Sequence, residues 1–102
     1  MTQRYLNMIN QLDKNIKRLK DLRKQCYVEY CNSYQRDFEM KYGIRKGDKI
    51  MANKKLCYYN GFKFYGGLTP DVELLEPRKD NKKPSTRVFY LEVKGIDITK
   101  VE

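Results

Sequence analysis

At 102 residues and 12.3 kDa, the chain has room for one domain and little more. Its 22 Lys and Arg outnumber 13 Asp and Glu, for a net charge of +9, and it contains neither histidine nor tryptophan. Without imidazole there is no His-dependent base, zinc ligand or Ser-His-Asp triad, and three cysteines are too few for a four-thiolate zinc site, so a non-enzymatic protein is expected. A hydrophobic fraction of 40% is enough for a core, while 34% charged residues and a mean hydropathy of −0.85 keep the surface solvated.

Along the first two fifths, large apolar residues fall at Tyr5, Ile9, Leu12, Ile16, Leu19, Leu22, Cys26, Tyr30, Tyr34 and Phe38, three or four apart, and no proline or glycine precedes Gly43. This spacing predicts a long amphipathic helix over residues 3–41, about 58 Å if continuous and longer than a domain built from the rest of the chain. Either the helix breaks at Asn32-Ser33, where Asn32 would cap a second helix with Gln35 at its third position, or its N-terminal half packs on another chain. In heptad terms Ile9 and Ile16 occupy a, and Tyr5, Leu12 and Leu19 occupy d, the branched-at-a, Leu-at-d preference of parallel dimers. Arg23 takes the next a position, and Leu6, Met8 and Leu22 widen the stripe. Packing on its own domain or in a small bundle, and a homodimer through a coiled-coil helix, both stay open. A membrane-surface role for the same stripe, opposite Lys14, Lys17, Arg18 and Lys24, fits less well. The stripe lacks a tryptophan or phenylalanine anchor at its head, and Asp13 and Asp21 interrupt the polar side.

Cys26, Cys31 and Cys57 form an odd set without regular spacing, and the first ten residues lack the apolar run of a secretory signal. A reducing, cytoplasmic location is expected, with the thiols as small hydrophobes; on a helix Cys26 and Cys31 would point about 140° apart. No stretch reaches the length and apolarity of a membrane span.

Beyond Gly43 the pattern is that of short strands. Residues 49–52 follow the Gly47-Asp48 turn, and LCYY and FKFY flank Asn60-Gly61, the signature of a two-residue type I′ hairpin. Residues 72–75 follow Thr69-Pro70-Asp71, PRKDNKKPS reads as an exposed polar loop, RVFYLEV alternates as a strand, and residues 95–101 close the chain. The expected architecture is α+β. A helical segment over residues 1–42 precedes a small antiparallel barrel of four or five strands over residues 43–102.

This order of helix, YGIRKGDKI, Asn-Gly hairpin, strand, basic loop, alternating strand and terminal GIDITKVE resembles the small SH3-like, KOW-like barrels of phage and prokaryotic proteins over residues 44–102. The resemblance implies a closed barrel that binds RNA, DNA or a ribonucleoprotein surface. The acidic, tryptophan-bearing groove of signalling SH3 domains has no counterpart, so proline-rich peptide recognition is not implied.

A hairpin turning at Asn60-Gly61 pairs Tyr59 with Phe62 and Cys57 with Phe64 on a core face. Tyr58, Lys63 and Tyr65 fall on the other face, where two rings around a cation would suit stacking and phosphate contact unless they pack under the helix. Cations gather in three clusters: Lys14, Lys17, Arg18, Lys20, Arg23 and Lys24 on the helix; Arg45, Lys46, Lys49, Lys54 and Lys55 around the first strand; Arg78, Lys79, Lys82 and Lys83 in the polar loop. Together with Tyr58, Lys63 and Tyr65 these are the candidate nucleic-acid-binding residues. Glu73, Glu76 and Asp97 form no metal-ligand spacing, and Gly66-Gly67 lacks the Lys-Ser/Thr of a phosphate loop, so no metal or cofactor is expected. The leading expectation is a nucleic-acid or ribonucleoprotein binder. The alternative is a phage accessory inhibitor of a host defence nuclease, of the anti-CRISPR type, gripping the protein or its guide RNA.

Overall fold

The computed structural model describes residues 2–80 and 82–101. Helix α1 runs Thr2–Tyr42 as one element, with no break at Asn32-Ser33. The residues divide into two compact units, 1–33 and 34–102. This division falls inside the helix, because Tyr34, Phe38 and Tyr42 pack with the sheet that follows.

Glycine ends α1. Gly43 adopts φ +64, Ile44 N donates to Glu39 O at 3.0 Å, and the Ile44 side chain is buried, which together make a Schellman stop with its apolar contact. A tight turn follows, with Arg45 N donating to Asp48 Oδ2 at 2.8 Å and Asp48 N donating to Arg45 O at 3.0 Å. The chain then builds strands β1 (Lys49–Ala52), β2 (Lys55–Lys63), β3 (Asp71–Pro77), β4 (Pro84–Glu92) and β5 (Ile98–Lys100). They form one antiparallel sheet in the order β4-β3-β2-β1-β5, so β4 and β5 are its edges, and the sheet is not closed into a barrel.

The expected hairpin at Asn60-Gly61 is not a turn. Strand β2 runs straight through it, and the actual β1–β2 turn is Asn53-Lys54, with φ +50 and +69, the two positive values a type I′ turn requires. Asn53 is held there by a reciprocal pair: its N donates to Asp97 O at 2.8 Å, and its Oδ1 accepts from Asp97 N at 2.9 Å. Asn60 and Gly61 instead form a bulge. Tyr59 pairs with Leu74 and Phe62 with Val72, so two residues of β2 oppose Glu73 alone, and Gly61 supplies the φ of +93. The pairs inferred across Asn60-Gly61, such as Tyr58 with Lys63, therefore do not form; Tyr58 lies beside Leu75 and Lys49.

The core of the second unit gathers Ile50, Ala52, Cys57, Tyr59, Val72, Leu74 and Ile98 from one sheet face against Phe38 and Ile44. Phe38 lies 4.8 Å from the Phe62 ring, edge-on, and 6.2 Å from the Tyr59 ring, while Tyr34 meets Phe62 and Phe64 edge-on at 5.5 and 5.9 Å. Tyr59 makes a polar link into this layer, donating its hydroxyl to Glu39 Oε2 at 2.8 Å while Gln35 Nε2 donates to the same oxygen at 3.0 Å. Burial and the Glu39 carboxylate push the Tyr59 phenol far above its ordinary value.

Lys54→Gly relieves a left-handed lysine and is expected to stabilise the fold by about 0.5–1 kcal/mol, whereas Gly61→Ala forces a side chain into φ +93 and is expected to cost about 1–2 kcal/mol, both read by urea denaturation. Tyr59→Phe is expected to cost about 1–2 kcal/mol at neutral pH by depriving Glu39 of a donor. Because the folded phenol is raised, its contribution is intact below the unfolded value of 10.0. Above it, the unfolded chain ionises and the native chain does not. The wild-type protein should therefore lose stability between about pH 10 and 11.5 more steeply than Tyr59→Phe, by at most about 1.4 kcal/mol per pH unit; parallel profiles would refute this.

Candidate nucleic-acid interface

In the first unit, Lys14, Lys17, Arg18, Lys20, Arg23 and Lys24 are all exposed, and none makes an ion pair among the described residues. At 100° per residue, Lys17 and Lys24 lie about 20° apart, with Lys14 and Lys20 about 60° to either side of Lys17. Arg18 sits at the margin of that sector, and Arg23 falls on the apolar stripe instead. Asp13 and Asp21 share the basic sector, so the helix offers four well-aligned cations rather than six.

In the second unit, strand pairing rearranges the other two clusters. Antiparallel β2 and β3, paired at Tyr58 with Leu75, carry Lys55 toward Arg78, which brings the β1–β2 turn and the β3–β4 loop to one end of the sheet. An ion pair ties these ends together: Lys55 Nζ lies 3.3 Å from Glu76 Oε1 and also stands 4.3 Å from the Phe89 ring centroid. Lys54, Lys55, Arg78, Lys79, Lys82 and Lys83 gather here, all exposed. A seventh cation joins them. Arg87 of β4 lines an open cleft of about 610 Å³ with Glu76, Arg78, Lys79, Asp80 and Ser85. In the sequence Arg87 stands within an alternating strand, apart from the loop cations, and only the irregular pairing that sets Glu76 across from residues 85–87 places it beside the loop.

The loop itself is folded. Arg78 N donates to Lys83 O at 2.9 Å, Arg78 Nε to Pro84 O at 3.2 Å, and Lys82 N to Asp80 Oδ1 at 3.1 Å, while Ser85 Oγ donates to Glu76 O at 2.7 Å. These bonds engage the Arg78 Nε; among the described residues its terminal guanidinium nitrogens and the Lys79, Lys82 and Lys83 ammonium groups form no ion pair.

Arg45 and Lys46 do not belong to this end. Gly47 N donates to Tyr59 O at 2.8 Å, which places them beside the Asn60-Gly61 bulge, and Lys49 is half-buried opposite Tyr58. The cluster read around the first strand is thus two groups separated by the length of β1.

The aromatic face also changes. Tyr58 is only 5% exposed, so its ring is not a stacking platform. Lys63 and Tyr65 are exposed and joined by Tyr90: Lys63 Nζ lies 5.5 Å from the Tyr65 ring centroid and 5.3 Å from that of Tyr90. Their surroundings are acidic. Lys63 pairs in register with Asp71 and Asp71 with Glu92, and Glu73 accepts from Asn60 Nδ2 at 2.5 Å and from Tyr90 OH at 3.4 Å. Local desolvation, the hydrogen bond to Asp71 and the nearby negative charge raise the Tyr65 phenol above its ordinary value. Phosphates would meet one cation and three carboxylates there, so this group carries aromatic surface without the charge to hold a polyanion.

Among the described residues no cluster of His, Cys, Asp and Glu could hold a metal ion, and no helix is long and apolar enough to cross a membrane. No family model matches the chain, and no curated protein and no solved structure is significantly similar to it. Asp71→Asn is expected to bring the Tyr65 phenol back toward its ordinary value, read by NMR titration of the labelled ring; an unmoved titration would show that Asp71 does not set it.

Proposed function

We propose that the protein is a non-enzymatic nucleic-acid binder that holds the phosphate backbone of RNA or DNA, free or within a ribonucleoprotein, at the sheet end carrying Lys54, Lys55, Arg78, Lys79, Lys82, Lys83 and Arg87. The observation that carries this reading is the gathering of seven cations from two turns and a strand at one end of the sheet, three of them (Arg78, Lys79 and Arg87) lining a cleft, against Glu76, Asp80 and the neighbouring Asp97. Such a site contacts phosphate without reading base edges, so its preference is for backbone charge rather than sequence. The helix cations Lys14, Lys17, Lys20 and Lys24 add a second polyanion-binding stretch. We read the second unit as SH3-like. Two features support that architecture: β5 returns to pair with β1, and the Gly61 bulge bends β2.

The test is a fluorescence titration with single- and double-stranded oligonucleotides at several salt concentrations. Engagement of about five cations predicts a slope of log K against log salt of roughly −4 to −5 on duplex DNA. Replacing Arg78, Lys79, Lys82 and Lys83 together by Ala should weaken binding at least about tenfold and flatten that slope by roughly 3, while Lys63→Ala leaves both nearly unchanged. Absence of binding at about 50 mM salt would overturn the proposal. A protein partner retained from host lysate after nuclease digestion would instead favour the inhibitor of a defence nuclease.

A further inference from the structure

The first unit presents an apolar stripe with no function in phosphate binding. Tyr5, Ile9, Leu12, Ile16 and Leu19 are 62%, 52%, 57%, 49% and 60% exposed, and Leu6, Met8 and Leu22 beside them are exposed to about the same degree. Eight half-open side chains of this size present on the order of 700 Å² of apolar surface. That exceeds the largest patch of an ordinary monomer, about 300–600 Å², and is close to the roughly 800 Å² each partner contributes to a standard interface.

We propose that this stripe is the seam of a parallel, in-register, two-stranded coiled coil formed with a second copy of the chain. Ile9 and Ile16 at a with Leu12 and Leu19 at d are the combination that selects two parallel strands. The flanking positions agree. In that arrangement Met8 faces Asp13 of the second copy, Asn15 faces Lys20 and Leu22 faces Tyr27, so no like charges oppose one another at these flanking positions. Arg23, alone among the a positions from 9 to 30 in carrying charge, meets Arg23 of the second copy, and two strands suit that pair better than three because in a dimer each long stem lies along the seam while the guanidinium reaches water, away from its counterpart. The next d position is Cys26, an exposed free thiol. A parallel, in-register dimer brings the two Cys26 residues face to face within the Cα spacing of about 5.5–6 Å that a disulfide spans, and an antiparallel pairing does not.

The test is independent of nucleic-acid binding, since it uses the full chain after nuclease treatment in high salt. Sedimentation equilibrium should give twice the 12.3 kDa chain mass at tens of micromolar, and Leu12→Asp with Leu19→Asp should return it to the monomer mass. Because that variant removes the seam that the helix folds against, a second measurement keeps the wild-type seam. In a Cys31→Ser chain, diamide takes up the two thiol hydrogens and should link Cys26 to Cys26, and the additional Cys26→Ser change should abolish the link. Cys57 does not compete, being buried with its thiol pushed up by that burial. A monomer at about 100 µM, or a dimer whose Cys26 residues fail to link, overturns the proposal.

Discussion

The contact on which the second unit turns is the meeting of Phe38 with Tyr59 and Phe62 over the middle of β2. Phe38 is the one residue of α1 that is buried, and the rings around it come from both sides of the Asn60-Gly61 bulge. That geometry explains why a bulge is needed. In an uninterrupted strand, side chains alternate, so residues 59 and 62 would point to opposite faces. One extra residue restores them to the same face, and Tyr59, Phe62 and Phe64 can then share a layer with Tyr34 and Phe38. The hydrogen bond from Tyr59 to Glu39 fixes the depth of that layer, because a phenol this deep requires a partner.

The same parity explains what could and could not be read from the residues. A two-residue hairpin and a two-against-one bulge place positions 59 and 62 on one face alike, so the core assignment of Cys57, Tyr59 and Phe62 survives a wrong account of the backbone. What Asn-Gly announces is a positive φ, and whether the chain then reverses or bends depends on which strand lies alongside, which is a long-range fact. Asn53-Lys54 hides the opposite case. Lysine is an uncommon residue for left-handed backbone, and the turn is held by Asp97, more than forty residues away, so no local pattern reveals it. The long helix, the loop and the alternating strand β4 were legible because each rests on a local period or on turn chemistry. The Tyr58 face was not, since strand register rather than alternation decides what covers that ring.

Charge follows the same logic. A census along the chain counts Arg45, Lys46, Lys54 and Lys55 as one group, but a strand has two ends, and β1 sends the first pair to the bulge and the second to the loop. Register then adds Arg87 and subtracts Lys55 in part, through its pairing with Glu76. The outcome is a sheet with the largest group of cations at one end, Arg45 and Lys46 beside the bulge, and Lys63 with two tyrosines among carboxylates at the far end.

Helix α1 poses a different physical question, which is why residues 2–33 are ordered as a helix when their apolar side chains face water. Local propensity sustains isolated helices only marginally, and most helical stability comes from covering an apolar face. Here the face recurs with a heptad period through Leu19, and its exposed width is more than a monomer ordinarily tolerates. In the proposed dimer, helix formation and association become a single equilibrium, with each helix the surface that the other folds against. Joining two chains would also join two basic sheet ends. A polyanion long enough to reach both would bind the second at the effective concentration set by the first, so modest phosphate contacts at each end could add up to firm attachment without any contact to the bases.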